Sequence, residues 1–275
     1  MSGIGEAFAR CAAERRAAFI PFLMAGDPNL AATAGQLAAL AAGGADVIEL
    51  GVPFSDPIAD GPVNQRAAMR ALAAGTGLSG ILELIARHRD QLGVPIVLFT
   101  YYNPLYARGL DRFAEQAAAS GVDGVLCVDL PPEEAERELL PALRERGVDT
   151  IFLLAPTSTR DRIARVAAAS SGFVYYVSRT GTTGERASLP PELVRDLKRL
   201  RRRLDLPLAV GFGISTPEQV AAVGKVADGV VVGSHLVALV EEMGDDPELP
   251  AVLEDRVREL AAPLQATARR VRVAQ

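Results

Sequence analysis

The sequence predicts an α/β fold, a single (β/α)8 (TIM) barrel spanning residues 1–275 as one domain, with an extra N-terminal helix and extra helices after strands 2 and 8. Three observations predict it. Eight short apolar, β-rich runs recur along the chain, each followed by a Gly-, Pro- or Asp-marked loop and then an Ala/Leu/Arg/Glu helical pattern. Eight strand–helix units in roughly 250 residues match the size and count of a closed parallel barrel. No Pro/Ser-rich linker divides the chain. The alternative is an open doubly wound sheet, but such sheets usually carry GxGxxG after the first strand, and this chain has AGDPN at 25–29.

An amphipathic N-terminal helix comes first. The strand candidates are 18–26, 45–51, 95–101, 124–130, 150–156, 172–178, 207–213 and 229–234. Helix candidates fall near 30–42, 62–74 with 78–91, 109–119, 133–146, 159–170, 191–203, 216–225 and 235–243, and a longer helix begins at about 249. Most units take 22 to 29 residues, whereas strand 2 to strand 3 takes 50 and strand 6 to strand 7 takes 35. The surplus falls partly in two loops, 52–61 and 178–190, which would share the C-terminal rim. Long loops on an economical scaffold usually carry function. The Gly/Thr-rich second loop suggests a lid over a ligand.

The chain is acidic, with a net charge of −5 and a pI of about 5.3. That balance argues against a general nucleic-acid or anionic-membrane surface. Cys11 and Cys127 fall on a helix and a strand, so no disulfide framework is expected and a reducing compartment fits. The first residues contain no apolar signal-peptide region, and no 18-residue apolar run is present, so a soluble cytoplasmic protein is expected.

The chemistry concentrates in ADVIELGVPFSDPIADGP, residues 45–62. Val47, Ile48 and Leu50 read as a buried strand, and Glu49 interrupts them. A carboxylate there costs several kcal/mol unless it is paired, hydrogen-bonded or protonated. Asp56 and Asp60 follow in the loop, and Pro62 suits the first position of the next helix, with Asp60 or Gly61 as its cap. Asp56 reads best as a turn residue, and Asp129 is a less probable third acid. Asp60 is balanced between a cap and a functional carboxylate.

Glycine-bearing turns follow strands 6, 7 and 8: TGTTG at 180–184, GFGIS at 211–215 and VGSHL at 232–236. Glycine lets backbone N–H groups approach an anion, and a helix N-terminus favours it, so these turns point to phosphate. Absences narrow the reaction. Lys198 and Lys225 both lie inside helices, which leaves no strand-end Schiff-base lysine. His88 and His235 lie far apart, no HExxH or Cys cluster suggests a metal, and no GxSxG appears. What remains is metal-free acid–base chemistry on a small phosphorylated substrate. The rim aromatics Phe22, Tyr101, Tyr102, Tyr175 and Phe212 could line a slot for a flat apolar ligand. KRLRRR at 198–203 reads as a solvated helix face.

IELGVPFSDPIADGP, TYYNPLY, VDLPPEE, SRTGTTG and GFGIS, in this order and spacing, resemble the tryptophan synthase α chain family from about Ala18 to Leu236. The resemblance implies cleavage of indole-3-glycerol phosphate to indole and glyceraldehyde 3-phosphate. It implies Glu49 as the acid–base group, with its pKa raised by apolar neighbours, and an ionised Asp60 on the indole N–H. It further implies an indole pocket around Phe22, Tyr101, Leu126, Tyr175 and Phe212, a lid with Arg179 and Thr183, and a phosphate site at Gly184, Gly213, Gly233 and Ser234. His235 departs from the small residue usual after Gly–Ser. No cofactor is expected in this chain. A β chain holding pyridoxal phosphate is the implied partner, in an α2β2 assembly, met by rim segments with Pro53, Asp56, Asn103 and Pro131. A stand-alone lyase releasing free indole and an idle α-like activator of a β chain are the rival readings. Intact Glu49 and Asp60 count against the second.

Overall fold

A computed structural model describes residues 2–177, 190–211 and 213–265. Its strands are β1 (Ala18–Met24), β2 (Ile48–Gly51), β3 (Ile96–Thr100), β4 (Gly124–Cys127), β5 (Asp149–Ile151), β6 (Leu153–Leu154), β7 (Val174–Val177), β8 (Leu208–Gly211) and β9 (Gly229–Val232). Its helices are α1 (Gly3–Ala13), α2 (Leu30–Ala42), α3 (Pro62–Ala73), α4 (Leu78–Leu92), α5 (Tyr102–Arg108), α6 (Leu110–Ser120), α7 (Pro132–Ala135), α8 (Leu139–Arg144), α9 (Arg160–Ala169), α10 (Pro191–Arg201), α11 (Pro217–Gly224), α12 (Ser234–Met243) and α13 (Leu249–Gln265). All pair in parallel, in the order β5-β4-β3-β2-β1-β9-β8-β7-β6. The barrel predicted from eight apolar runs is therefore present.

Three predictions need correction. The helix expected at 133–146 is two short helices, Pro132–Ala135 and Leu139–Arg144, separated where Glu138 leaves the helical conformation at φ −139° and ψ −52°. The fifth run, expected as one strand over 150–156, is two segments hinged at Phe152. β5 pairs with β4 and β6 with β7, while the Phe152 carbonyl accepts the Tyr175 N–H at 3.1 Å. That single barrel position thus hands its ladder from one neighbour to the other. The helix predicted at 109–119 is preceded by another, α5 (Tyr102–Arg108), and is itself α6 (Leu110–Ser120), with Gly109 between them at φ +87°. Pro104 is tolerated in the first turn of α5, where N–H groups lack intrahelical acceptors. Asp129 supplies an acceptor there, taking the Tyr102 N–H at 2.7 Å, so its role is structural, in line with the bland reading of that residue.

Side-chain alternation along the strands sorts the core into two clusters. Ile48 and Leu50 face the outer helices, whereas Ile20, Val47, Val97, Leu126, Ile151 and Ala209 fill the barrel interior. The extra helix α1 (Gly3–Ala13) closes the N-terminal mouth. Its Ile4, Ala7, Phe8 and Cys11 join the interior cluster, with the Phe8 and Phe173 rings 5.5 Å apart. Gly124 shows how tightly this plug fits, since a Cβ there would lie 2.7 Å from Ile4. With this end sealed, an interior cavity can open only toward the C-terminal rim.

The loop after β2 leads into α3 (Pro62–Ala73) and α4 (Leu78–Leu92), the predicted helix pair. After β9 come α12 (Ser234–Met243) and α13 (Leu249–Gln265), which packs back over the outer layer. Among the described residues no single helix is long and apolar enough to cross a membrane.

Candidate active site

Register builds the site. The interior ring formed by Ile20, Val47, Val97, Leu126 and Ile151 is followed, two residues further along each strand, by Phe22, Glu49, Phe99, Val128 and Leu153. These five, with Tyr175, Val177 and Val231, wall a cavity of about 330 Å3 on the C-terminal side. The 59–64 segment with Asp60 and Asn64, and Gly213, Gly233 and Ser234, also line it. The alternation that sends Ile48 and Leu50 outward sends Glu49 inward.

Glu49 is 1% exposed, and its Oε1 atom has no hydrogen-bond partner. Other buried carboxylates are matched. Arg70 holds Asp27, Arg16 and the Phe19 N–H hold Asp46, and the Ser2 hydroxyl donates to Asp149. Among the described residues Glu49 has no ion pair or hydrogen bond, and burial lifts its carboxyl from 4.5 to about 8. Desolvation penalises the charged form, so this group holds a proton at neutral pH. The buried Tyr175 phenol is pushed up as well, first by burial and then by any charge on Glu49.

Asp60 sits across the loop. Gly61, not Asp60, occupies the N-cap of α3, without a side-chain bond, and Pro62 holds the first helical position. The Asp60 carboxylate instead accepts the Tyr101 hydroxyl at 2.9 Å. That hydroxyl in turn accepts the Ala59 N–H at 3.0 Å, so its proton is directed at Asp60. Burial raises the Asp60 pKa, while hydrogen bonds from Tyr101 and Asn64 oppose the shift. The Gln65 amide donates to the Asp60 carbonyl at 2.9 Å and fixes the backbone. Removing the hydroxyl in Tyr101→Phe should lower kcat/KM roughly tenfold or more, the effect of losing a charge-assisted hydrogen bond worth about 1.5–3 kcal/mol. Steady-state kinetics beside a thermal melt checks this.

Elsewhere on the cavity wall, Gly213 has φ +74°, a conformation that favours glycine, and Gly233 caps α12 without a side chain. The first turn of α12, beginning at Ser234, presents N–H groups with no intrahelical acceptor toward the cavity, a ready anion site. His235 does not line the cavity. Its Nε2 is buried without a partner among the described residues, and burial lowers its pKa, with Arg256 acting in the same direction and Glu259 against it.

Several expected residues stand elsewhere. Leu126 lies in the ring one layer deeper, and Val128 takes the wall position. Tyr101 stands behind Asp60 rather than against the cavity. Arg179, Thr183, Gly184 and Phe212 lie outside the described residues. On the rim, Asp56 and Asn103 are exposed, Pro131 is half-buried and Pro53 is buried. Asn64, Phe99, Val128, Leu153, Val177 and Val231 were missed. Counting two residues beyond Val97, Leu126 and Ile151 would have found Phe99, Val128 and Leu153, and Asn64 is one helical turn past Asp60. Among the described residues no three His, Cys, Asp or Glu side chains cluster as a metal site.

Comparison with known proteins meets this geometry. A sequence model of the tryptophan synthase alpha chain matches residues 8–268. The chain belongs to the tryptophan synthase alpha chain family. It is 52% identical over 260 residues to the tryptophan synthase alpha chain of Solibacter usitatus, covering 94% of this chain and 97% of that one. It is 50% identical over 266 residues to that of Geotalea uraniireducens, covering 97% of each. The crystal structure of tryptophan synthase subunit alpha from Legionella pneumophila superposes with a TM-score of 0.90 at 34% identity, covering 97% of this chain and 100% of that one. A tryptophan synthase structure from M. tuberculosis gives 0.86 at 36% identity, covering 96% and 99%. The family's alpha chain is a lyase of tryptophan biosynthesis that cleaves indole-3-glycerol phosphate to indole and glyceraldehyde 3-phosphate, and it works with a β chain.

Proposed function

We propose that residues 1–275, as one barrel domain in the cytoplasm, carry out this cleavage with Glu49 as the proton carrier and Asp60 as its electrostatic partner. The observation that carries the reading is a buried carboxyl, without a pairing partner among the described residues and protonated near neutrality, on the wall of a largely apolar cavity. Breaking the C–C bond directly would expel an indole carbanion. Protonated Glu49 first gives its proton to indole C3, and the ring becomes an iminium. The resulting carboxylate takes the proton of the glycerol hydroxyl, whose electrons form the aldehyde as the C–C bond breaks into the iminium. Glu49 ends protonated, as it began. Asp60, held by Tyr101 and Asn64, accepts the indole N–H and stabilises the ring's positive charge. Phe22, Phe99, Leu153 and Tyr175 exclude water around the heterocycle. Gly213, Gly233 and Ser234, with Gly184, hold the phosphate end, and Arg179 and Thr183 belong to the lid.

The rim supports docking of a β chain in an α2β2 assembly, with pyridoxal phosphate held by the β chain alone. Ile58 is 88% exposed and Tyr106 63% exposed, on the loop and helix that carry Asp56 and Asn103. Indole released from indole-3-glycerol phosphate by the purified chain, with and without a β chain, tests the reading; no release in either case overturns it. Activity should fall as pH rises through about 8, where the acid form of Glu49 is lost. Inorganic phosphate should compete with substrate, and non-competitive behaviour would remove the phosphate assignment.

A further inference from the structure

Both helices whose N-termini line the cavity are pinned to each other one to two turns behind those N-termini. Glu241 lies seven residues past Ser234 on α12, and Arg66 and Arg70 lie on α3 behind Asp60 and Asn64. Arg66 grips Glu241 with two bonds, Nε to Oε1 and Nη2 to Oε2, both at 2.7 Å. Arg70 Nη1 reaches the same Oε1 at 2.8 Å. The other edge of the Arg70 guanidinium holds Asp27, in the loop after β1, with Nε to Oδ1 at 2.8 Å and Nη2 to Oδ2 at 2.7 Å. Asp27 is 2% exposed, and its carbonyl accepts the Gln36 amide at 2.9 Å. The two guanidinium groups, Arg66 first, hold the Glu241 carboxyl down at about 2, so the link is charged across the working pH range.

Planar, two-point guanidinium–carboxylate pairs fix orientation as well as distance. One such fork joins α3 to α12 and a second joins α3 to the β1 loop. From this geometry we infer that Glu241, Arg66 and Arg70 form a strut of positioning residues that sets the separation between the Asp60 end and the phosphate end of the cavity. None of the three lines the cavity. The inference rests on the roles of Asp60 and of the Gly233–Ser234 turn given above.

A strut that sets spacing affects a ligand spanning both ends far more than a ligand at one end. Glu241→Ala and Glu241→Gln are the first variants, because Glu241 is partly exposed and its loss leaves the Arg70–Asp27 pair in place. Arg70→Lys, which keeps the charge and loses the fork, is the second. Binding of inorganic phosphate and of indole is measured separately by calorimetry, and kcat/KM with indole-3-glycerol phosphate by indole release. Misplacement by ~1 Å costs up to about 10^2-fold in rate. The expected result is a fall of about tenfold or more in kcat/KM, with each half-ligand bound within about threefold of the parent chain. Glu241→Gln, which keeps one acceptor, should fall less than Glu241→Ala. Unchanged kcat/KM in a folded variant overturns the inference, as does equal weakening of both half-ligands together with a lowered melting temperature. A parent chain that releases no indole, or ignores phosphate, would instead overturn the function on which the strut depends.

Discussion

Replacing Glu49 with Gln should lower indole release by about 10^2- to 10^4-fold, the usual contribution of a positioned proton donor and acceptor. The fold should gain stability. The amide has the same shape as the acid but cannot ionise, and the parent side chain is 1% exposed with no ion pair among the described residues. Below pH 4.5 the carboxyl is protonated in folded and unfolded chains alike. Between 4.5 and about 8 the unfolded chain gives up the proton while the fold keeps it. The folded state then binds more protons, so stability falls as pH rises through that window. Above about 8 the whole cost is present, on the order of several kcal/mol. The Gln variant lacks this cost, so its melting temperature should overtake that of the parent chain by a margin that grows from pH 5 toward pH 8. Wild-type turnover in the variant would end the acid–base assignment. A melting difference independent of pH would show that Glu49 is ionised in the fold.

The second large effect is expected at Asp60. Asp60→Asn keeps an oxygen for the Tyr101 hydroxyl but removes the charge that would face the C3-protonated indole iminium. Turnover should drop by about 10^2- to 10^3-fold, as when a preorganised group facing transition-state charge is lost. Unfolding free energy should change by less than about 1 kcal/mol, because Gly61 caps α3 and Asp60 does not. A variant that melts early and turns over normally would make Asp60 a brace for the 57–61 loop and nothing more. Measuring kcat/KM and the melt on one preparation separates these outcomes.

The two acids were legible to different degrees. Glu49 stood out because a carboxylate between Val47, Ile48 and Leu50 violates the apolar pattern of a buried strand, and that violation needs no coordinates to be seen. Asp60 was ambiguous, since an acid before Gly–Pro at a helix start has the appearance of a cap. Only the position of Tyr101, brought alongside from the end of another strand, separates the two roles. Leu126 and Val128 show the same limit. Either could wall the cavity from strand periodicity alone, and the choice depends on how far the interior ring rises before the cavity begins.

What the amino-acid order determined by itself was the repeating strand–loop–helix pattern, the barrel it closes into, the misfit acid of β2 and the glycine turns opposite it. These are local signals of period, propensity and turn chemistry. Tertiary structure alone decided which way Glu49 faces, that no cation among the described residues reaches it, that Phe152 divides the fifth strand position, and that Arg70 spans Asp27 and Glu241. Each of those depends on groups far apart in the chain meeting across a closed sheet. Desolvation and long-range pairing are properties of the assembled surroundings, and a single stretch of residues does not contain them.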